Sequence, residues 1–349
     1  MRIVVGTMTG TSMDAVDAVV AKIDDFGLNM QAQFSSMATT DLGEARPLLR
    51  KLASQTGSDR EMKLGAKEIG ERTLKSINAL DLKDIDLIAL HGQTIFHKPP
   101  TSIQLIDTTS ICESFNCTIL NDPRQQDLAL GGQGAPITPL ADWVMFRSKI
   151  QSTAIVNLGG FCNITIIPAN ATPSEVRGFD LCSCNLLLNS IAQQNLQLEY
   201  DKDGAIACTG NACDKMVEKV YAKLYSQRTE QRSLGTDDDL STLISEHQSL
   251  PVKDVLASIH VALGNCINKV TETIDRVFLA GGGIHNQALI AQIRNDGTTE
   301  KLGVPTQARE GMAMAILGAL AQDGVSITIP QITGRKETTE LVAWTQEKL

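Results

Sequence analysis

A glycine-turned hairpin written twice, about 150 residues apart or one domain length, constrains this chain more than any other feature. The first copy is Ile3-Val4-Val5-Gly6-Thr7-Met8-Thr9-Gly10-Thr11-Ser12-Met13-Asp14-Ala15-Val16-Asp17-Ala18-Val19-Val20, and the second is Thr153-Ala154-Ile155-Val156-Asn157-Leu158-Gly159-Gly160-Phe161-Cys162-Asn163-Ile164-Thr165-Ile166-Ile167. Each reads as strand, side-chain-poor turn, strand. Glycine removes the Cβ that would hold a ligand off the backbone, and loop amides can then point at phosphate oxygens. A third turn, Val277-Phe278-Leu279-Ala280-Gly281-Gly282-Gly283-Ile284-His285-Asn286, leaves a strand for a helix expected over 287–294. Its glycines would let a flat base or ribose lie on the main chain. Any one of these is also readable as an ordinary turn; together they predict a duplicated α/β protein gripping a phosphate chain between two halves.

At 349 residues the chain exceeds what one hydrophobic core usually supports, so two lobes are expected. The net charge of −9, with no basic cluster, argues against a nucleic-acid or anionic-membrane partner. An anionic ligand must be held by amides, a few basic side chains and a metal. Eight cysteines occur without a C-x-x-C pair, which points to reduced thiols rather than a zinc site or a disulfide framework. Met1-Arg2-Ile3 leads straight into a strand, so a cytoplasmic protein with no membrane span is expected.

Between the hairpins, 30–39 reads as a third strand, 48–80 as mostly helix, and 86–90 as a short buried strand ending at His91-Gly92-Gln93-Thr94. Open α/β sheets bind ligands at such strand ends. Strands are expected at 103–107 and 118–120. The glycine-rich Leu130-Gly131-Gly132-Gln133-Gly134-Ala135-Pro136 is the candidate crossing between lobes, with Pro136 and Pro139 opening a helix through Phe146. Further helices are expected over 185–191, 212–224, 252–274 and 309–320, and 227–239 as a surface excursion.

The three turns, in this order, resemble the phosphate-1, phosphate-2 and adenosine segments of the actin/hexokinase-like ATPase superfamily. Gly6-Thr7-Met8-Thr9-Gly10-Thr11-Ser12-Met13-Asp14, His91-Gly92-Gln93-Thr94, the 130–136 segment, Tyr200-Asp201-Lys202-Asp203, Gly281-Gly282-Gly283 and Thr333-Gly334 together resemble the anhydro-N-acetylmuramic acid kinase family. The resemblance implies a two-lobed actin-like ATPase (ribonuclease H-like) α/β fold with a central interlobe cleft, the lobes being 1–135 with 309–349, and 136–308. It implies ATP and Mg²⁺ as cofactors, an anhydro sugar as substrate, and a homodimer. Nucleotide contacts would come from Gly6, Thr9, Gly10, Thr11, Ser12, Asp14, Gly159, Gly160, Gly281, Gly282, Gly283 and Asn286. Asp14 or Asp17 would stand near the metal. His91, Thr94, Arg124, Asn185 and Glu310 would meet the sugar, and Asp180 would be the general base that activates water at the anomeric carbon.

The chain also departs from the family's pattern. Asp-Thr-Gly-Pro-Gly-Asn becomes Asp180-Leu181-Cys182-Ser183-Cys184-Asn185; Asp-Phe-Arg-Arg-Arg-Asp becomes Asp122-Pro123-Arg124-Gln125-Gln126-Asp127; and Lys-Ser-Thr-Gly-Arg-Glu is reduced to Arg232-Ser233-Leu234-Gly235. These changes lie around the sugar. They leave open a kinase for another anhydro sugar, one without the lactyl group, and a nucleotide- and sugar-binding protein that has lost turnover.

Overall fold

The computed structural model describes residues 1–10, 12–228, 234, 240, 250–337 and 345–347. The chain divides into two compact units, Met1–Phe146 with Gly303–Leu349, and Arg147–Leu302.

The first unit opens with a three-stranded antiparallel meander, β1 (Arg2–Thr9), β2 (Ala15–Asp24) and β3 (Gln31–Asp41). Helices α1 (Arg46–Ala53) and α2 (Asp59–Asn78) follow. The expected single helical stretch is broken at Ser58, whose hydroxyl accepts from the Glu61 amide while Glu61 Oε2 accepts from the Ser58 amide. That reciprocal box starts α2 afresh. β4 (Leu87–Leu90) then runs parallel to β1, and its four buried residues end at His91. A second hairpin, β5 (Gln93–Lys98) with β6 (Thr101–Leu105), was not expected as a pair. α3 (Thr109–Ser114), β7 (Thr118–Asn121) parallel to β4, α4 (Arg124–Ala129) and α5 (Pro139–Phe146) complete the segment. α5 starts at Pro139, not Pro136, because its first turn closes from the Asp142 amide to Thr138 O.

The second unit repeats the plan. β8 (Thr153–Leu158), β9 (Phe161–Ile167) and β10 (Arg177–Ser183) form an antiparallel meander, with a register shift between Asp180 and Cys182. Helices α6 (Asn185–Leu196), α7 (Asp214–Ser226) and α8 (Val252–Thr271) lead to β11 (Arg276–Ala280), which lies parallel to β8. The helix after the third turn, α9 (Gln287–Ile290), stops at residue 290 rather than 294, after one turn capped by the Asn286 side chain. The sheet order is β10-β9-β8-β11.

The chain then re-enters the first unit through α10 (Arg309–Gln322), α11 (Pro330–Thr333) and β12 (Thr345–Glu347), giving a sheet ordered β12-β7-β4-β1-β2-β3. Both units therefore carry a meander whose first strand is joined by a parallel strand entering after helices. That shared order is the ribonuclease H-like duplication the paired hairpins imply. Nearly all of α10 is buried, and small residues let it press on the sheet. A Cβ at Gly6 would stand 2.1 Å from Gly311 O and 2.3 Å from Ala315 N, and one at Gly311 would stand 2.4 Å from Val19 Cγ2. Gly6 was expected to make room for a ligand; its missing Cβ makes room for the α10 backbone instead.

Candidate functional site

In the first unit, the β1–β2 turn is tied to the end of β4. Thr9 is buried and its Oγ1 donates to Gly92 O at 2.7 Å, while Gln93 Nε2 donates to Gly10 O at 3.4 Å. The Thr9 hydroxyl expected at a nucleotide is thus engaged inside the fold. Gly10 stays open, with Ser12 Oγ the nearest atom to an added Cβ at 3.7 Å, and Ser12 is exposed. Thr11 lies outside the described residues. Asp14 is exposed and pairs with Arg46 at 3.3 Å. Half-buried Asp17 accepts from Thr39 Oγ1 and Gln307 Nε2, and burial pushes its carboxyl up against those two lowering contacts.

His91, Arg124 and Glu310 come from three distant stretches and share one electrostatic neighbourhood. Burial, helped by the Arg124 charge, holds His91 down to about 3. Its Nδ1 lies 2.8 Å from Gly92 O, so that nitrogen carries the proton and Nε2 is an acceptor. His97, on β5, is held to about 4 by burial and by Arg124. Burial raises the half-buried Glu310 carboxyl, and the Arg309 and Arg124 charges work against that rise. Arg309 itself is spent on fully buried Asp142, which it grips through Nε at 2.9 Å and through Nη2. Thr94 Oγ1 accepts from Gln104 Nε2 at 3.3 Å. His91 Nε2 and the side-chain oxygens of Gln93 and Gln104 are buried acceptors with no partner among the described residues. Such atoms cost about 1–3 kcal/mol each, a cost that a hydroxyl-rich ligand or water relieves.

In the second unit, the Gly159-Gly160 turn, the start of α6 and the third turn interlock. The amides of Cys184 and Leu186 donate to Gly160 O, and that of Asn185 to Gly159 O. The turn's carbonyls therefore cap the start of α6. Asn185, expected at the sugar, donates its side-chain amide to Leu158 O at 3.1 Å. Because β8 and β11 are neighbours, the third turn stacks on Leu158: a Cβ at Gly283 would lie 2.6 Å from Leu158 Cβ, and one at Gly281 (φ +80) 2.7 Å from Asn157 Oδ1. Those two glycines answer to packing. Gly282 is exposed with nothing within 4 Å of an added Cβ, so it alone of the three presents open backbone.

Asp180 sits on β10 at the register shift, 8% exposed, and its Oδ2 accepts the Leu234 amide at 2.7 Å. Leu234 belongs to the reduced Arg232-Ser233-Leu234-Gly235 motif, whose other residues lie outside the described residues, as does most of the expected 227–239 excursion. The shift turns the carboxylate relative to its strand neighbours, and the amide fixes one oxygen.

For Mg²⁺, no group of three His, Cys, Asp or Glu gathers among the described residues. An ion at such a site would be held mainly through phosphate oxygens and water; of the two candidate carboxylates, Asp14 is exposed and paired with Arg46, and Asp17 is half-buried and hydrogen-bonded. All eight cysteines are free, and among the described residues no helix is long and apolar enough to cross a membrane.

Residues 2–347 match the family model described as anhydro-N-acetylmuramic acid kinase. A protein of that name from Francisella tularensis subsp. novicida (strain U112) is 29% identical over 364 residues, covering 95% of each chain. Another, from Salinibacter ruber (strain DSM 13855 / M31), is 28% identical over 382 residues, covering 97% of this chain and 95% of its own. A third, from Bacillus thuringiensis subsp. konkukian (strain 97-27), is 26% identical over 374 residues, covering 97% of both.

Proposed function

We propose an activity from one premise: the chain belongs to the anhydro-N-acetylmuramic acid kinase family. It is an ATP-dependent sugar kinase that opens the 1,6-anhydro ring of anhydro-N-acetylmuramic acid and phosphorylates O6, yielding N-acetylmuramic acid 6-phosphate for cell-wall recycling. The observation that carries the chemistry is Asp180, a mostly buried carboxylate at the β10 register shift with one oxygen held by the Leu234 amide. It takes a proton from water as the water oxygen bonds to the anomeric carbon. The bond from that carbon to O6 breaks, and O6 takes the γ-phosphoryl group as ADP departs. Phosphoryl transfer asks the protein mainly for positioning and charge compensation. Open backbone at Gly10 and Gly282 supplies nucleotide contacts together with the Gly159-Gly160 turn, and Mg²⁺ near Asp14 would offset phosphate charge. Arg124, Glu310 and the buried acceptors around His91 supply the sugar contacts. The protein works in the cytoplasm as a homodimer, an assembly that light scattering checks. Incubation with ATP, Mg²⁺ and a panel of anhydro sugars tests the activity; no ADP and no sugar phosphate with any of them would refute it.

The glycine assignment has its own test. Gly10→Val and Gly282→Val put branched carbon into space that is empty in the fold, so folding persists while ATP affinity drops. Loss of even one or two charge-assisted contacts weakens binding by roughly tenfold or more. Calorimetry with unchanged affinity in both variants would remove these turns from the nucleotide site.

Sugar selectivity should be relaxed. Gln125 carries no charge and spends its Nε2 on Ser102 O at 2.9 Å, while Arg124 donates through Nη1 to Gly134 O at 2.7 Å. A planar guanidinium suits a carboxylate better than an amide does. Preference for the lactyl-bearing sugar over an uncharged anhydro sugar narrows by roughly tenfold, about 1.4 kcal/mol. Gln125→Arg restores it at an exposed position, whereas Gln126 is buried and a poor place for a second charge. Competition between the two sugars measures the effect; strong preference for the charged sugar resting on Arg124 alone would refute it.

A further inference from the structure

His260 lies on α8, 1% exposed, far in sequence from the third glycine turn. Its Nδ1 is 2.7 Å from Leu256 O and its Nε2 is 2.9 Å from Asn286 Nδ2. A ring nitrogen facing a carbonyl must carry the proton, so Nε2 is unprotonated and accepts. Asn286 therefore presents its amino group to His260 and its oxygen to the Leu289 amide, 3.0 Å away. One imidazole thus fixes the amide orientation of Asn286. Asn286 in turn closes the turn behind Gly282, its own amide donating to Gly283 O at 3.0 Å, and starts α9. Gly204 lies against the same amide: a Cβ there would stand 2.3 Å from Asn286 Oδ1. Among the described residues, the charge that acts on His260 is that of Asp201, whose two oxygens accept the Ile206 and Ala207 amides at 2.9 Å.

We propose that His260 is a positioning residue for nucleotide binding: by accepting from Asn286 it locks the turn that presents Gly282. This rests on the reading of that turn as part of the nucleotide site. His260 touches no substrate and acts through Asn286 alone.

The test compares His260→Leu, which removes the acceptor, with His260→Gln, whose side-chain oxygen reaches about where Nε2 stood. The expected result is a KM for ATP and a calorimetric Kd for ADP raised about five- to tenfold in the Leu variant, the equivalent of one lost hydrogen bond. The kcat and the sugar KM stay within about twofold, and the Gln variant returns ATP KM toward wild type. A merely structural histidine would instead lower thermal stability and active fraction with ATP KM unchanged in both variants, and that result overturns the proposal. If the Leu variant does not fold, the Gln variant and Asn286→Ala decide: wild-type ADP affinity in Asn286→Ala overturns it. Gly282→Val separates the premise from the proposal. Unchanged ADP affinity in that variant refutes the turn as a nucleotide site and the proposal with it. Weakened affinity there beside wild-type affinity in His260→Leu refutes the positioning role alone.

Discussion

Asp180→Asn lowers turnover by about 10²–10⁴-fold, the usual cost of losing a general base, while ADP and sugar affinities stay near wild type. The geometry explains the selectivity of the loss. The Leu234 amide needs an acceptor on the side chain, and an asparagine oxygen meets that need where Oδ2 now lies, 2.7 Å away. The replacement keeps the size and the pinned orientation, then presents an amino group to water where a basic oxygen stood. The barrier rises by about 2.7–5.5 kcal/mol, at about 1.4 kcal/mol per tenfold. Single-turnover kinetics with ATP and the anhydro sugar measure it, with calorimetry on the same preparation. Turnover within tenfold of wild type would show that another group activates the water. Weakened ADP binding with turnover otherwise intact would place Asp180 in the nucleotide site.

Periodicity and turn chemistry make the two meanders legible, because each hairpin is local: glycine turn between apolar runs, in both units. The third turn is legible for the same reason, up to the length of its helix. Long-range pairing is what the sequence hides. Nothing local shows that Gly6 faces Gly311, that Asn286 leans on His260, or that Leu234 supplies an amide to Asp180. Hence the glycines divide in a way composition does not reveal. Gly6, Gly281 and Gly283 are required by neighbouring backbone or side chains, whereas Gly10 and Gly282 leave open surface. Short polar side chains mislead similarly: Thr9 and Asn185 sit at candidate turns, yet each donates to a carbonyl of its own fold. The resemblance to a family finds such positions without saying whether they serve ligand or scaffold.

Asp127 is the clearest scaffold case, and removing it is the most destabilising substitution expected. The neighbouring family-like stretches 122–127 and 130–136 meet the distant 333–334 on its carboxylate, which has no solvent exposure. Oδ1 accepts the hydroxyls of Thr328 and Thr333, each at 2.6 Å, and Oδ2 accepts the Gly134 amide at 2.7 Å. Arg335 Nε stands 3.8 Å from Oδ1 and donates to Thr328 Oγ1 at 2.9 Å. A Cβ at Gly132 would fall 2.1 Å from Oδ2, which is why that position takes glycine. Asp127→Ala leaves an amide and two hydroxyls without their acceptor and removes the carboxylate that faces the buried Arg335 guanidinium. Breaking a buried ion pair by removing one partner costs about 3–5 kcal/mol. Asp127→Asn costs less, since the hydroxyls can turn to donate elsewhere while the amide oxygen serves Gly134. Loss of Gly134 also reaches the sugar contacts, because its carbonyl holds Arg124 Nη1 at 2.7 Å. The unfolding transition of the first unit should therefore fall in the order wild type, Asn, Ala, with sugar KM rising in step and ATP affinity held. Equal stability of wild type and Ala in denaturant melts would mean that Thr328, Thr333 and Arg335 hold this corner without the carboxylate.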